Sequence, residues 1–406
     1  MNVVNNPGLF IKKYDSINLG LSYLVLWVPI TGLLGSIFGE ESKQTIFFRI
    51  LQILYILGIV NALPAASRIF RNVNFLFFFI LLLMIYFFSY IECSDDGLKF
   101  DMNRMILLWC IPYLFMSLLI KDVENLLFYL RYVGFLIIFI EFLNCVVFSK
   151  VDVYSQDVGY NCVLPIVLFF SSFLFEKKKF DLLFVILGFV IVLFSGSRGP
   201  LLSSILGLIL TCSVRLTIKK VIYLILSFSV LFVIYILYKD QILSYIIDLF
   251  ASLGVSTRVA EGLLYNNLGD DEVRDSLRNA AWLYSCERPF IGGGFFMDRI
   301  YLYNLNIIAS KTASVWGCYC HNIFLELMMQ FGLIPGLLIG CTILRKIFFK
   351  IMGSDSYFNM RLIIVFVSIG LFPLLVSRSW ITYPFFYFLV GLLFNPIFKN
   401  KKNVNS

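Results

Sequence analysis

Apolar runs of about 20 residues follow one another along almost the whole chain, and no soluble fold accommodates that pattern. A bilayer core about 30 Å thick takes roughly 20 helical residues to cross. About twelve runs meet that length, near residues 17–39, 46–66, 73–92, 105–120, 126–148, 160–176, 180–196, 199–214, 220–239, 322–343, 360–377 and 379–398. They are unbroken, where a membrane β-barrel strand would alternate with a period of two. Only 14% of the residues are charged and 60% are hydrophobic, against about 25% charged in an ordinary soluble domain. That excludes a cytosolic enzyme, a disordered chain and a secreted disulfide scaffold. The first run lacks a small-residue cleavage pattern and further runs follow it, so it reads as a span and not as a signal peptide. The expected fold is an all-α polytopic integral membrane protein, a single transmembrane domain over residues 1–406 with about 12 transmembrane helices.

The charges between the runs set the sidedness. With the N-terminus in the cytoplasm, inner segments carry Lys12, Lys13, Arg68, Arg71, Lys121, Lys177, Lys178, Lys179, Arg215, Lys219 and Lys220. Arg345, Lys346, Lys350, Arg361, Lys399, Lys401 and Lys402 continue the series. The outer loops hold Glu40, Glu41, Asp95, Asp96 and Asp101. Both termini are therefore expected in the cytoplasm. The formal charge of +8 is a topology signal. Scattered over inner loops, it forms no stripe for nucleic acid.

One segment interrupts this rhythm. Residues 240–320 have a near-soluble composition and, by the same sidedness, face outward between helices nine and ten. A loop of that length in a compact protein is functional or disordered. Apolar residues at helical spacing, first Ile242, Ile246, Ile247 and Phe250, then Leu277, Ala281, Leu283 and Tyr284, predict an ordered helical loop.

Three outward constellations carry chemistry. Ser195-Gly196-Ser197-Arg198-Gly199-Pro200 joins helices seven and eight. A Gly-rich turn opening a helix offers backbone N–H donors and a partial positive charge, and Arg198 adds a fixed cation, a combination suited to phosphate; a tight turn with a snorkelling arginine is the plainer alternative. The long loop holds Arg258, Arg274, Arg278, Arg288 and Arg299. Arg274 and Arg278 share a helix face four residues apart, where an anion or the neighbouring Asp270, Asp271, Glu272 and Asp275 would balance them. His321-Asn322 begins the tenth run. It supplies the only histidine, so any imidazole acid or base at neutral pH is His321; Asn322 can cap the helix or bind a sugar hydroxyl. Arg49 and Arg378, near outer helix ends, are costly charges that usually face an anion. Tyr319 can stack on or bond to sugars. Nine cysteines behave mostly as small hydrophobes. Cys93, Cys286, Cys318 and Cys320 lie outward, where spacing leaves disulfide formation open, and no second ligand cluster completes a metal tetrahedron around Cys318-x-Cys320-His321.

In order and spacing these motifs resemble the O-antigen polymerase and O-antigen ligase superfamily of bacterial envelope glycosyltransferases. Ser195-Gly196-Ser197-Arg198-Gly199 is similar to the family's Ser-Arg-Gly turn. Arg274 followed by Pro289, Gly292 and Gly294 is similar to its loop arginine and Pro-x-x-Gly-x-Gly turn. His321-Asn322 with Leu325 and Gly332 is similar to its His-Asn helix start. Where the family often has tryptophan, four residues after the loop arginine, Arg278 stands here, which leaves Arg274 and Arg278 both open. The resemblance covers residues 160–345.

It implies a C-type glycosyltransferase-like fold in the bacterial inner membrane with a periplasmic active site. The implied donor is an undecaprenyl-diphosphate-linked oligosaccharide, used without cofactor or metal. His321, Arg198 and Arg274 would be catalytic; Arg278, Arg49, Arg258 and Arg378 would hold pyrophosphate; Asn322 and Tyr319 would meet sugar. The Ser-Gly-Ser-Arg-Gly-Pro turn and the Phe/Ile/Lys-rich composition favour a polymerase over a ligase that uses lipid A–core. A chain-length regulator is an expected partner beside substrate and membrane lipid. A flippase, which would line a central path with charge, and a transferase using an acidic pair at Glu40 and Glu41 or Asp95 and Asp96 are the other classes.

Overall fold

Uninterrupted apolar sequence satisfies its backbone within each segment, and the chain is accordingly helical, with no strand among the described residues. The computed structural model describes residues 16–38, 56, 59–60, 73–145, 156–215, 237–249, 251–252, 257, 260–261, 264–265, 272–305, 315–354 and 356–398. Six described helices are long and apolar enough to cross a membrane. Four come first: α1 (Ser16–Phe38), α2 (Val73–Glu92), α3 (Asp96–Leu119) and α4 (Val123–Leu143). They are followed by α5 (Gln156–Glu176), then by two shorter apolar helices, α6 (Asp181–Phe194) and α7 (Arg198–Arg215). The outer segment contributes α8 (Glu272–Glu287) and α9 (Met297–Asn304). After it come α10 (Ile323–Phe331), α11 (Leu333–Met352), the sixth spanning helix α12 (Tyr357–Val376) and the short apolar α13 (Pro384–Phe394).

The expected count of about twelve spans is met only in part. The runs at 46–66 and 220–239 fall almost wholly outside the described residues. The run at 322–343 is not one helix. Gly332 adopts φ +100° and ψ 156°, a conformation only glycine takes readily, and it separates α10 from α11. The last run is helical only over α13, after a 3₁₀ turn at Trp380–Thr382. At 105–120 the helix begins nine residues early, because Asp95 caps it, accepting from the Leu98 N–H at 2.8 Å. Asp96 and Asp101, read as loop, are therefore helical.

Helix α5 is the hub. It packs against α4, α6, α7 and α12, and Val163, Ile166, Val167, Leu168 and Phe169 are wholly enclosed. Helix α13 lies on α3, where Asn395 donates to the Ser117 and Ile120 carbonyls at 2.9 and 3.0 Å. Exposed Phe77, Leu81, Met84 and Phe88 on α2 are what a lipid-facing helix presents. In the outer segment, Leu277, Ala281 and Tyr284 of α8 bury against Leu302, Cys318, Cys320 and Met329. Leu283, assigned to that stripe from sequence, faces outward.

Candidate active site

The site is built around the turn that follows α12. Pro373 near the end of that helix accepts from the Ser377 and Arg378 N–H groups at 2.9 and 3.0 Å, closing the last turn. The chain then runs through Ser377, Arg378 and Ser379 into the 3₁₀ turn. Helix α10 clamps it: Glu326 Oε2 accepts from the Trp380 N–H at 3.1 Å, and Gln330 Oε1 accepts from Trp380 Nε1 at 3.1 Å. Arg299 of α9 donates to Ser379 Oγ at 2.8 Å, and Gln330 donates to Asp298 at 3.0 Å. Asp298, Arg299, Glu326 and Gln330 are all buried. Burial pushes the Asp298 carboxyl well above its ordinary value against the pull of Arg299.

The histidine is turned onto this element. His321 has φ +54°, the left-handed region, which costs an L-residue about 1–2 kcal/mol. That backbone brings its Nδ1 to 3.2 Å from the Ser377 carbonyl. Tyr319 donates to the same carbonyl at 2.8 Å, and its ring lies 4.2 Å from the imidazole, centroid to centroid. Asn322 caps α10: its Oδ1 accepts from the Phe324 and Leu325 N–H groups at 3.0 and 3.3 Å.

The Ser-Arg-Gly turn meets the same place. Arg198 is the first residue of α7. A Cβ on Gly199 would collide with the Tyr160 hydroxyl and crowd Ser377 Oγ, so glycine lets this turn approach without moving either side chain. Tyr160 and Ser377 hydrogen-bond through their hydroxyls. The buried hydroxyl of Ser197 has no hydrogen-bond partner among the described residues. The N-termini of α5, α7 and α10 thus lie at one end of the bundle, each contributing partial positive charge.

The loop arginines divide. On α8, Arg274 lies near the buried Leu277 and Ala281 stripe, and its charge reaches the Tyr319 hydroxyl. Burial raises that hydroxyl's pKa; Arg378, Arg299 and Arg274 pull it back. Arg278 sits at the solvent edge, ion-paired with Asp275 at 3.3 Å. Arg378 pairs with Asp157 in the first turn of α5 and lies over the Tyr160 ring at 4.8 Å. Arg49 and Arg258 lie outside the described residues. The Pro-x-x-Gly-x-Gly turn has a packing role: Gly293 and Gly294 donate to the Met329 and Gln330 carbonyls at 2.9 and 3.0 Å, and a Cβ on Gly292 would strike that backbone.

Sequence reading missed Ser377, Ser379, Glu326 and Gln330. The one available signal was Ser377-Arg378-Ser379, an arginine between hydroxyl residues at a helix end, as at Ser197-Arg198. All nine cysteines are free thiols, and no cluster of three metal-ligating side chains occurs among the described residues. Chemically, the site offers an imidazole, cations and helix N-termini around one carbonyl, a set able to take a proton beside a bound anion.

A comparison with curated proteins finds no match. The family model described as O-antigen ligase matches residues 183–340, a stretch that begins before the Ser-Arg-Gly turn and ends after the His-Asn helix. With Arg198, Arg274 and His321 all inside the matched stretch, the match supports the resemblance read from the motifs: over these residues the chain is similar to the O-antigen polymerase and ligase superfamily.

Proposed function

We propose that this protein polymerises O-antigen or capsule-like repeat units on the periplasmic face of the bacterial inner membrane, taking a glycan from an undecaprenyl-diphosphate donor. The acceptor is a non-reducing-end hydroxyl of another lipid-linked repeat unit. The observation that carries the reading is the meeting of the Ser-Arg-Gly turn, the His-Asn motif and the loop arginine around Ser377.

In this mechanism His321 takes the proton of the acceptor hydroxyl as its oxygen bonds to the anomeric carbon. The bond from that carbon to the diphosphate oxygen breaks, and the electron pair leaves with the lipid diphosphate. Arg198 and Arg274 hold that leaving group and offset its growing charge. The α7 N-terminus adds backbone donors, and the Ser197 hydroxyl is placed to add another. Arg378, joined to Asp157, contributes field more than direct contact, and Arg278 is peripheral. Tyr319 and Asn322 lie beside the imidazole, where an acceptor sugar would lie. Both termini are cytoplasmic and the segment that holds α8 and α9 is periplasmic, with a chain-length regulator as partner.

A ligase that transfers the glycan to lipid A–core is the second reading, favoured by the description of the matched family. The lipopolysaccharide of a deletion strain separates them. Loss of a polymerase leaves core bearing a single repeat unit; loss of a ligase leaves core with none. A full-length ladder overturns both.

A further inference from the structure

The Ser377 carbonyl raises a question that the transfer reaction alone does not answer, namely which nitrogen of His321 carries the proton. We propose that the Ser377–Trp380 turn is a positioning element that fixes His321 as the Nδ1–H tautomer and so makes Nε2 the proton acceptor.

The argument begins with the donor and acceptor inventory. A backbone carbonyl can only accept, so an Nδ1 at 3.2 Å from the Ser377 oxygen donates, and in the neutral ring the lone pair is on Nε2. The carbonyl is held from both sides of the turn. Behind it, Pro373 closes the end of α12. Ahead of it, Glu326 fastens the Trp380 N–H, Gln330 fastens the indole, and Arg299 fastens Ser379. Arg299 also lies 5.0 Å from the Tyr319 ring centre, and Tyr319 donates to the same carbonyl. On the histidine side, the left-handed backbone at His321 and the Asn322 cap immediately after it fix the direction of the side chain. A strained residue held by surrounding contacts is the arrangement expected where orientation matters. Glu326 and Gln330, buried and bonded to Trp380, act through the turn.

The inference rests on the proposed role of His321, but its first test does not need transfer to be measured. Because the chain has one histidine, protein labelled with [15N]histidine in lipid nanodiscs gives one imidazole, and its nitrogen shifts and couplings identify the tautomer. The expected result at neutral pH is Nδ1–H in the unmodified protein. Nε2–H overturns the inference, whatever the activity. Glu326→Ala releases the Trp380 N–H and is expected to mix the tautomers and lower kcat at least tenfold with KM little changed, whereas Glu326→Gln keeps an accepting oxygen and restores both. Mixed tautomers with full kcat, or a failure of glutamine to restore the tautomer, would overturn it. A fully active His321→Gln variant instead removes the proposed base, and the inference falls with it.

Discussion

Buried arginines stand near both ends of α5, and the two places are built differently. At the C-terminal end Arg361 is enclosed, with its Nε donating to Ser171 at 3.2 Å, one terminal nitrogen to Ser172 at 2.7 Å and the other ion-paired with Glu176. About 20 Å away along the helix, the other end brings His321 and Tyr319 onto one backbone carbonyl, with Arg299 on the neighbouring Ser379, Arg378 on Asp157 and the Arg198-Gly199 turn packed beside Ser377. The first cluster closes on itself, with each edge of one guanidinium answered by a side chain of α5. The second runs through four helices, a strained histidine and a helix start. A charge inside a membrane helix is a sign of function by default; these two regions teach that the sign has to be read with its partners. Arg361 is a staple, and the other end is the candidate site.

The sharpest way to break this contrast is at His321. Glycine suits φ +54° better than histidine, so His321→Gly should fold with a thermal midpoint near that of the unmodified protein. Transfer by the purified variant should nevertheless drop by about 10²–10⁴-fold, the usual worth of a general base. Arg198→Ala should lose about 10²–10³-fold, as expected when a stabiliser of developing charge is removed. Activity at the native level in either variant removes that residue from the mechanism.

Arg361→Met should behave in the opposite sense. It leaves Glu176 without its enclosed partner, and breaking a buried pair costs about 3–5 kcal/mol. The exposure of part of Glu176 puts the expected loss at the lower end of that range. A lower melting temperature with unchanged transfer per folded molecule supports the staple; unchanged stability with lost transfer would reverse the assignment of the two ends.

Much of this contrast was legible in the sequence, and the illegible parts have physical causes. The spans follow from length and hydropathy, and Arg198, Arg274 and His321 from side chains whose chemistry is visible in their names. The Ser377 carbonyl has no such mark, because every residue has one. Glu326 and Gln330 sit inside an apolar run, where a period of 3.6 says that they are on a helix but not which buried group they meet. Gly332 reads equally as a small packing residue and as a break; only its φ of +100° decides. Asn322 reads equally as a cap and as a sugar ligand, since the N-cap preference and hydroxyl recognition use the same amide.

A smaller effect concerns pH. Burial holds the folded-state pKa of Asp298 up at about 6, opposed by Arg299. The folded protein therefore binds a proton that the unfolded chain has already lost. Stability contributed by this group is present at low pH and declines as pH rises from the ordinary aspartate range towards 6. Asp298→Asn should flatten that slope in thermal melts between pH 4 and pH 6. An unchanged slope would mean that the buried network takes up its proton elsewhere, Glu326 being the nearest alternative carboxyl.

The smallest expected effect separates the two loop arginines. On a helix, four residues turn the chain by about 40° beyond a full circle, enough to carry Arg278 off the stripe formed by Leu277 and Ala281 and out to Asp275. Arg274 stays close to that stripe, with its charge acting on Tyr319. An exposed ion pair is worth about 0.2–1 kcal/mol, so Arg278→Ala should change both stability and transfer by less than about fivefold in the corresponding constants. Arg274→Ala should lower kcat far more, and Arg274→Lys should recover little, because a point charge does not reproduce bidentate binding of a diphosphate. If Arg278→Ala is the more damaging of the two, then the arginine that serves the leaving group is the one facing solvent here, and α8 must rotate on the bundle when the lipid-linked donor binds.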